Sequence, residues 1–332
     1  MNIMENIYEK AKRAPGRVAF PESQEEKILL AAKECYDKGY ITPVLVGEPS
    51  KIKEAAAAYG VSLDGFEIAD STDEEFLDTL ITQYIDQGSL LGAKGLKRRC
   101  EDPLYAALMM QAIGTVDICF AGLTHTTGEV ILAGQTIVGL QEGVAGVSSI
   151  GIFDIPGYSG SEGSLLAFGD SAVMTDPDEQ ELAGIAIAAC DTVTALLGWT
   201  PRCAMLSFST DGSIEHPKVD IVRNAVKIAN TQRPDLKIDG EFQLDSAINP
   251  EVAKKKVKRN SDVAGRANII IWPDLNVGNV GVKLVQQFAK ADAYGPVLQG
   301  FRKVVGDCSR GAPVSELVGN IAMSVVRAAT NA

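Results

Sequence analysis

Residues 307–318 read DCSRGAPVSELV. A hydroxyl (Ser309), a guanidinium (Arg310) and a glycine (Gly311) precede Pro313 and an apolar helical pattern, with a carboxylate, Glu316, in the first turn. A helix N-terminus offers unpaired N–H groups and the positive end of a dipole, which suits an anion. Pro313 fits a helix start because no N–H is needed there. Arg310 adds a planar donor fork that matches phosphate. Ser309 can donate or accept, and Glu316 can take a proton. The same residues fit, equally well, a capped helix with a surface arginine and a dipole-compensating glutamate.

Ligand sites in open α/β sheets lie beyond the carboxyl ends of strands, often between domains. Five polar, glycine-bearing turns are therefore candidates: AGLTHTTGE (121–129), SFSTDGS (207–213), DGEFQLDSA (239–247), PDLNVGNVGVK (273–283) and YGPVLQGFRKVVGDCSRG (294–311). No GxGxxG follows the first strand, and neither GxxxxGK[ST] nor GxSxG occurs. With only two histidines, His125 and His216, a histidine-based triad or a histidine-rich metal site is not expected. His125 reads as a helix-entry packing residue or as a ligand contact, with equal weight.

The elements that must position these turns alternate. RVAFPE is a strand running into a turn, EEKILLAAKECYDKG a helix, TPVLVG a strand, PSKIKEAAAAYG a helix and GFEIAD a strand. DPLYAALMMQAIG is helical and VDICFAG a buried strand. This rhythm implies a mainly parallel sheet covered on both faces. GVSSIGIFDIP and GSLLAFGDSAVM then read as a hairpin, after which the alternation resumes with strands at CAMLSFS, LKIDGEFQ and NIIIWPDL. GNVGVKLVQQFA reads as a helix after a glycine-bearing turn. Periodicity lapses at GLQEGVAGVSS, and the closing helix from Pro313 to about Ala329 is expected to return to the first half. The predicted organisation is two doubly wound α/β domains, residues 1–147 plus 300–332 and residues 148–299.

The length of 332 residues favours two domains over one core. A net charge of -12 argues against nucleic acid or an anionic membrane as the main partner, though a small anion needs only a few local cations. The six cysteines are scattered without CxxC spacing, as expected of packed, reduced thiols in the cytoplasm. The N-terminal stretch lacks the apolar region of a signal peptide. Its Ile3, Ile7 and Ala11 suit a short amphipathic helix, which either packs on its own domain, the favoured reading, or targets a protein shell. LAGIAIAACDTVTALLGW (182–199), interrupted by Asp191, reads as a buried helix rather than a membrane span.

Four segments, MLSFSTDGS…HP (205–217), PDLKIDGEFQLDSAINPEVA (234–253), AGRANIIIWPDLNVGNVGVK (264–283) and YGPVLQGFRKVVGDCSRG (294–311), occur in an order that resembles the phosphate acetyltransferase (phosphotransacetylase) family. The resemblance covers nearly the whole chain. DPLYAALMM, VDICFAG, AGQTIVGLQEG and PGYSG make it most similar to the ethanolamine-utilisation type. It implies an architecture like that of isocitrate dehydrogenases, two doubly wound α/β domains with a substrate cleft between them, a homodimer, no tightly bound cofactor, no metal in the chemistry, and the reaction acetyl-CoA + phosphate ⇌ acetyl phosphate + CoA. It carries a general-base role onto Glu316, an oxyanion donor onto Ser309 and an anion clamp onto Arg310. Thr127, Asn279, Lys283, Tyr294 and Gln299 match polar positions that contact phosphate or CoA. It implies a cytoplasmic location, with a bacterial microcompartment as the second option.

One departure stands out. The segment that in relatives carries a cleft arginine reads TGEVILAGQ (127–135), with Leu132 at the arginine position; Lys283 and Arg302 are the candidate replacements. A second arginine-bearing segment, ahead of DPLY, is absent near Asp86, as in the ethanolamine type. Three other readings remain open: transfer of propionyl or butyryl groups, an acyl-CoA-binding protein without turnover, and a dehydrogenase on the same architecture. The last lacks both a dinucleotide site and an acidic metal cluster in the sequence.

Overall fold

The computed structural model describes residues 3–89 and 91–330. The chain opens with α1 (Ile3–Arg13), β1 (Gly16–Phe20), α2 (Glu26–Asp37), β2 (Ile41–Gly47), α3 (Pro49–Ala58) and β3 (Glu67–Asp70). Next come α4 (Glu74–Asp86), α5 (Ala93–Arg99), α6 (Pro103–Ile113), β4 (Ile118–Phe120) and α7 (Thr127–Ile137). The middle of the chain holds β5 (Ser148–Asp154), β6 (Leu165–Gly169), α8 (Glu179–Leu197), β7 (Arg202–Leu206), α9 (Pro217–Gln232) and β8 (Lys237–Phe242). α10 (Leu244–Ile248), α11 (Pro250–Lys256), β9 (Ile269–Ile271), α12 (Leu275–Ala289), β10 (Asp292–Gln299), β11 (Val305–Gly306) and α13 (Val314–Thr330) complete it.

Two compact units result, one of Met1–Gly139 with Phe301–Ala332 and one of Leu140–Gly300. The first crossing thus precedes the expected 147–148. The cause is local: Gln141 donates through its amide to Asp191 on α8 (2.7 Å), and Val144 packs on Gly184 of the same helix, so GLQEGVAG belongs to unit 2.

Unit 1 contains a five-stranded sheet in the order β11-β4-β1-β2-β3, parallel throughout. β1, β2 and β4 are buried on both faces, as their near-continuous apolar runs require, while the edge strand β3 is largely open. One helix group is α1, α2 and α13; the other is α4, α6 and α7. α13 lies against β1, β4 and β11, and α6 against β1, β2 and β4. Ile7 and Ala11 of α1 are fully buried, and Met4 approaches Gly319 of α13, so the apolar side of this helix is spent inside unit 1. The chain winds outward from β1 through β2 to β3, then returns to lay β4 on the other side of β1. The strand order therefore switches direction between β1 and β4, the position where parallel sheets open a crevice at the carboxyl ends of their strands.

Unit 2 has a six-stranded mixed sheet, β10-β5-β6-β9-β7-β8. β5 and β6 form the expected antiparallel hairpin, β10 adds antiparallel to β5, and the pairs from β6 through β9 and β7 to β8 are parallel. α8 is long and apolar enough to cross a membrane, but it lies buried against this sheet and α9, and its one interrupting charge, Asp191, is paired with Arg233 (3.1 Å).

Two expected turns are regular structure. β10 occupies much of 292–299, and α12 begins at Leu275, so Gly278 and Gly281 lie inside a helix. Asp274 caps that helix by accepting from the Val277 N–H (3.0 Å). The glycines are needed because Trp272, stacked on Phe168 at 5.3 Å, lies against the helix; a Cβ at Gly281 would be 2.8 Å from the indole. Tertiary packing overrides the weak helix propensity of glycine here.

Candidate functional site

The crevice of the parallel sheet is lined by the turns after β1, β4 and β11, and these carry the chemistry. After β1 stands Glu22, 6% exposed. Its Oε1 accepts from the N–H groups of Gly122 (3.2 Å), Thr124 (2.9 Å) and His125 (2.9 Å) and from the Thr124 hydroxyl (2.9 Å). Its Oε2 accepts from the Leu123 N–H (2.8 Å). The His125 ring donates Nδ1–H to Glu22 (2.8 Å) and Nε2–H to Asp102 (3.1 Å), whose carboxylate also caps α6 through the Leu104 N–H (2.9 Å). Burial alone would raise Glu22; the donors of His125, Thr124 and Leu123 overrule it and hold the carboxyl down at about 2. The bonds to Asp102 and Glu22 lift His125 to about 10 against the effect of burial, so the ring is an imidazolium that donates from both nitrogens. One ion cluster thus pins the end of β1, the start of α6 and the entry to α7.

Thr126 caps α7 in a box with Glu129, and Thr127 is its first residue. Thr127 is exposed and donates its hydroxyl to Asp307 Oδ2 (2.8 Å), the first residue after β11. Ser309 and Arg310 follow, both exposed. Ser309 Oγ accepts from the Gly311 N–H (3.4 Å), which leaves its own proton free to donate outward. The Ser309 carbonyl accepts from the Ala312 N–H (3.0 Å), closing the turn, and α13 begins one residue after Pro313 with Glu316 exposed in its first turn. Lys27, in the first turn of α2, donates to the carbonyls of Ala312 (2.9 Å) and Arg310 (3.4 Å) and so holds the turn from below. Arg310 and His125 lie near enough to α7 to favour the ionised form of Glu129, whose main support is the backbone N–H of Thr126.

Unit 1 therefore brings Thr127, Ser309, Arg310 and Glu316 to one end of one sheet. Asn279, Lys283, Tyr294 and Gln299 lie in unit 2. Asn279 and Lys283 occupy successive turns of the exposed side of α12, and Asn279 donates to the Ser171 carbonyl (3.3 Å). Tyr294 is half-buried on β10 opposite Ile152, its pKa raised by burial and by Asp292 and Asp154. Gln299 corrects the expectation. It is 1% exposed, and its amide donates to Ser148 Oγ (3.0 Å) and the Ile185 carbonyl (3.3 Å), so it ties β10 to β5 and α8 and offers no surface to a ligand. Leu132 is 63% exposed on α7. Arg302 does not stand at that position: its guanidinium lies against Gly139, past the C-terminal end of α7 at Ile137.

Asp239 and Glu241 of β8 bridge neighbouring segments of unit 2. Glu241 accepts from Ser209 (2.7 Å), the Gly212 N–H (3.0 Å) and Arg223 (2.9 Å); Arg259 spans Asp211 (2.7 Å) and Asp239 (2.6 Å). Among the described residues no group of three or more His, Cys, Asp or Glu could hold a metal ion.

Sequence reasoning missed Glu22, Asp102, Asp307 and Lys27. Glu22 and Asp307 had no local signal, and Asp102, ahead of Pro103, signals only a helix cap. Lys27 had one: a cation in the first turn of a helix opposes the helix dipole, and that misfit calls for a compensating partner.

A family model for phosphate acetyl/butaryl transferase matches residues 2–325. A phosphate acetyltransferase of Clostridium acetobutylicum is 41% identical over 99% of both chains. Among solved structures, a phosphotransacetylase from Streptococcus pyogenes (29% identity, TM-score 0.90) covers 99% of this chain and is itself covered to 98%. The EutD phosphotransacetylase from Staphylococcus aureus (30% identity, TM-score 0.86) covers 98%, with 99% of its own length matched. At the level of fold alone, the chain also resembles a 4-hydroxythreonine-4-phosphate dehydrogenase from Burkholderia phymatum (11% identity, TM-score 0.53, over 94% and 98% of the two chains), in keeping with an isocitrate-dehydrogenase-like architecture. With nearly every residue inside the family model, the chain belongs to the phosphate acetyl/butaryl transferase family.

Proposed function

We propose that this protein is a phosphate acetyltransferase of the ethanolamine-utilisation type, moving an acetyl group reversibly between CoA and phosphate. The observation that carries the reading is the turn after β11, which sets the Ser309 hydroxyl, the Arg310 guanidinium and the Glu316 carboxylate around the start of α13. In the direction of acetyl-CoA formation, Glu316 takes the proton of the CoA thiol, which is mostly un-ionised at neutral pH. Sulfur attacks the acetyl carbonyl, and the free Ser309 proton is donated to the oxyanion that forms. As the intermediate collapses, the C–O bond to phosphorus-bound oxygen breaks and phosphate leaves, its charge met by Arg310. CoA is a substrate and no cofactor is consumed. Thr127 in unit 1 and Asn279, Lys283 and Tyr294 in unit 2 are assigned as further substrate contacts.

We assign the active form as a homodimer. α12 presents Val277, Val280, Leu284 and Phe288, exposed by 43, 58, 50 and 83%, along one face, a stripe that a second copy would cover symmetrically. Phe288→Glu should give a monomer by light scattering if that face is the interface. The location assigned is the cytoplasm, because all six cysteines are free and buried. Encapsulation in a microcompartment would need a face other than the apolar side of α1, which α13 already covers.

The test is acyl-CoA formation from CoA and acetyl, propionyl or butyryl phosphate, with no nucleotide added. Fastest turnover with the acetyl compound is expected. Preference for a longer chain would move the assignment to a propionyl or butyryl transferase, and CoA binding without turnover would sink the enzyme reading.

A further inference from the structure

Asp307 has no part in the mechanism above, yet its placement is specific. The loop after β4 closes over its carboxyl. Gly122, at φ +107°, passes so near that a Cβ there would lie 2.1 Å from Asp307 Oδ1 and 2.7 Å from the Cys308 backbone. Oδ1 is buried without a hydrogen-bond partner, and the Cys308 N–H lies close enough to the carboxyl to favour its ionised form. Oδ2 meets the Thr127 hydroxyl at 2.8 Å.

A carboxylate only accepts, and a hydroxyl has one proton. While Asp307 is ionised, Thr127 must direct that proton inward to Oδ2, and the outer side of its oxygen presents lone pairs, which repel an anion. Once Asp307 is protonated, its own O–H can donate to Thr127 Oγ1. The threonine proton then turns outward as a donor. We infer that Asp307 is a positioning residue whose proton sets the direction of the Thr127 hydroxyl, so that an oxyanion binds at Thr127 together with one proton taken up by Asp307. This rests on the assignment of Thr127 as a contact to phosphate.

The proton is available at working pH. Burial lifts Asp307 to about 6, and the Glu22 charge adds to the rise, while the Thr127 hydroxyl and the Cys308 N–H oppose it. The groups that face Asp307 are Glu22 and Cys308, with His125 behind the first and Lys27 and Glu316 near the second. Glu22 and His125 hold fixed opposite charges through the neutral range, and burial keeps the Cys308 thiol protonated.

The variant Asp307→Asn is isosteric, and its amide can donate to Thr127 at every pH. Phosphate binding would be measured by calorimetry from pH 5.5 to 8 in two buffers of different ionisation enthalpy. The titration of phosphate itself cancels in the ratio of wild-type to variant Kd. That ratio should be near 1 at pH 5.5, about tenfold at pH 7, and rise by about tenfold per further unit. Wild type should take up close to one more proton than the variant at pH 7. Parallel pH profiles, or equal proton counts, overturn the inference. If a thermal melt shows Asp307→Asn to be unfolded, Thr127→Ser and Thr127→Val decide: serine should keep the wild-type pH dependence and valine should lose it, and equal behaviour overturns the inference. Phosphate binding without acyl transfer would count against the proposed function and leave the linkage readable. No phosphate binding at any pH overturns both.

Discussion

Replacing Glu22 with glutamine keeps the shape of the side chain and removes its charge. The carboxylate is nearly inaccessible, its side chain 1% exposed, and it takes donors from four consecutive residues and an imidazolium. Glutamine can accept at one oxygen only; with that oxygen toward His125 its amide would face the Leu123 N–H donor to donor, and His125 would keep Asp102 as its one charged partner of the two. Removing one partner of a buried ion pair costs about 3–5 kcal/mol. For a unit of this size each kcal/mol moves the melting temperature by about 2–4 °C, so a fall of about 6–20 °C is expected. The pH dependence has a defined sign. Glu22, lowered from 4.5 to about 2, contributes stability that is full above pH 4.5 and lost as pH falls through 2. His125, raised from 6.5 to about 10, contributes stability that is full below pH 6.5 and lost as pH rises through 10. The gap between wild type and Glu22→Gln should therefore be widest between pH 4.5 and 6.5 and shrink on both sides. Calorimetric melts across pH measure it, and NMR titration of His125, one of two histidines, checks the cause. A gap of less than about 2 °C at pH 6, or a His125 midpoint near its ordinary value, would refute the reasoning.

Glu316→Gln should lower turnover by about 10²–10⁴, with the loss narrowing toward high pH where CoA ionises unaided; a pH–rate profile reads this, and a uniform loss would remove the base role. Ser309→Ala should cost about 10²–10³ in turnover with the KM for CoA little changed. Leu132→Arg, at a position 63% exposed, should leave the melting temperature nearly unchanged and lower the KM for phosphate by about tenfold or more, through a charge-assisted contact. Lys27→Met should leave CoA binding in place but reduce turnover by about 10–100-fold, because the carbonyls of Arg310 and Ala312 lose their anchor; steady-state kinetics separate the two effects.

The sequence by itself determined most of the elements. Apolar runs such as VLV and III, short and bounded by turn residues, read as strands buried on both faces, and the spacing of Val314, Leu317, Val318, Ile321 and Val325 reads as one face of a helix. It also marked Ser309, Arg310 and Glu316, because a hydroxyl, a guanidinium and a carboxylate within eight residues of a helix start are a local pattern. Three things only the tertiary structure decided. PDLNV read as part of a turn ahead of a helix at GNVGVKLVQQFA, and the Asp274 cap starts that helix already at Leu275, with its glycines against the ring of Trp272. Gln299 looked like a polar contact, and its strand buries it. Glu22, Asp102 and His125 carry no common signature, since 103 residues separate the first from the last and the crossing of the chain between β1 and β4 alone brings them together. Local periodicity encodes which face of an element is buried. Which distant partner meets that face, and therefore which charges share a proton, is fixed only when the strands take their order in the sheet.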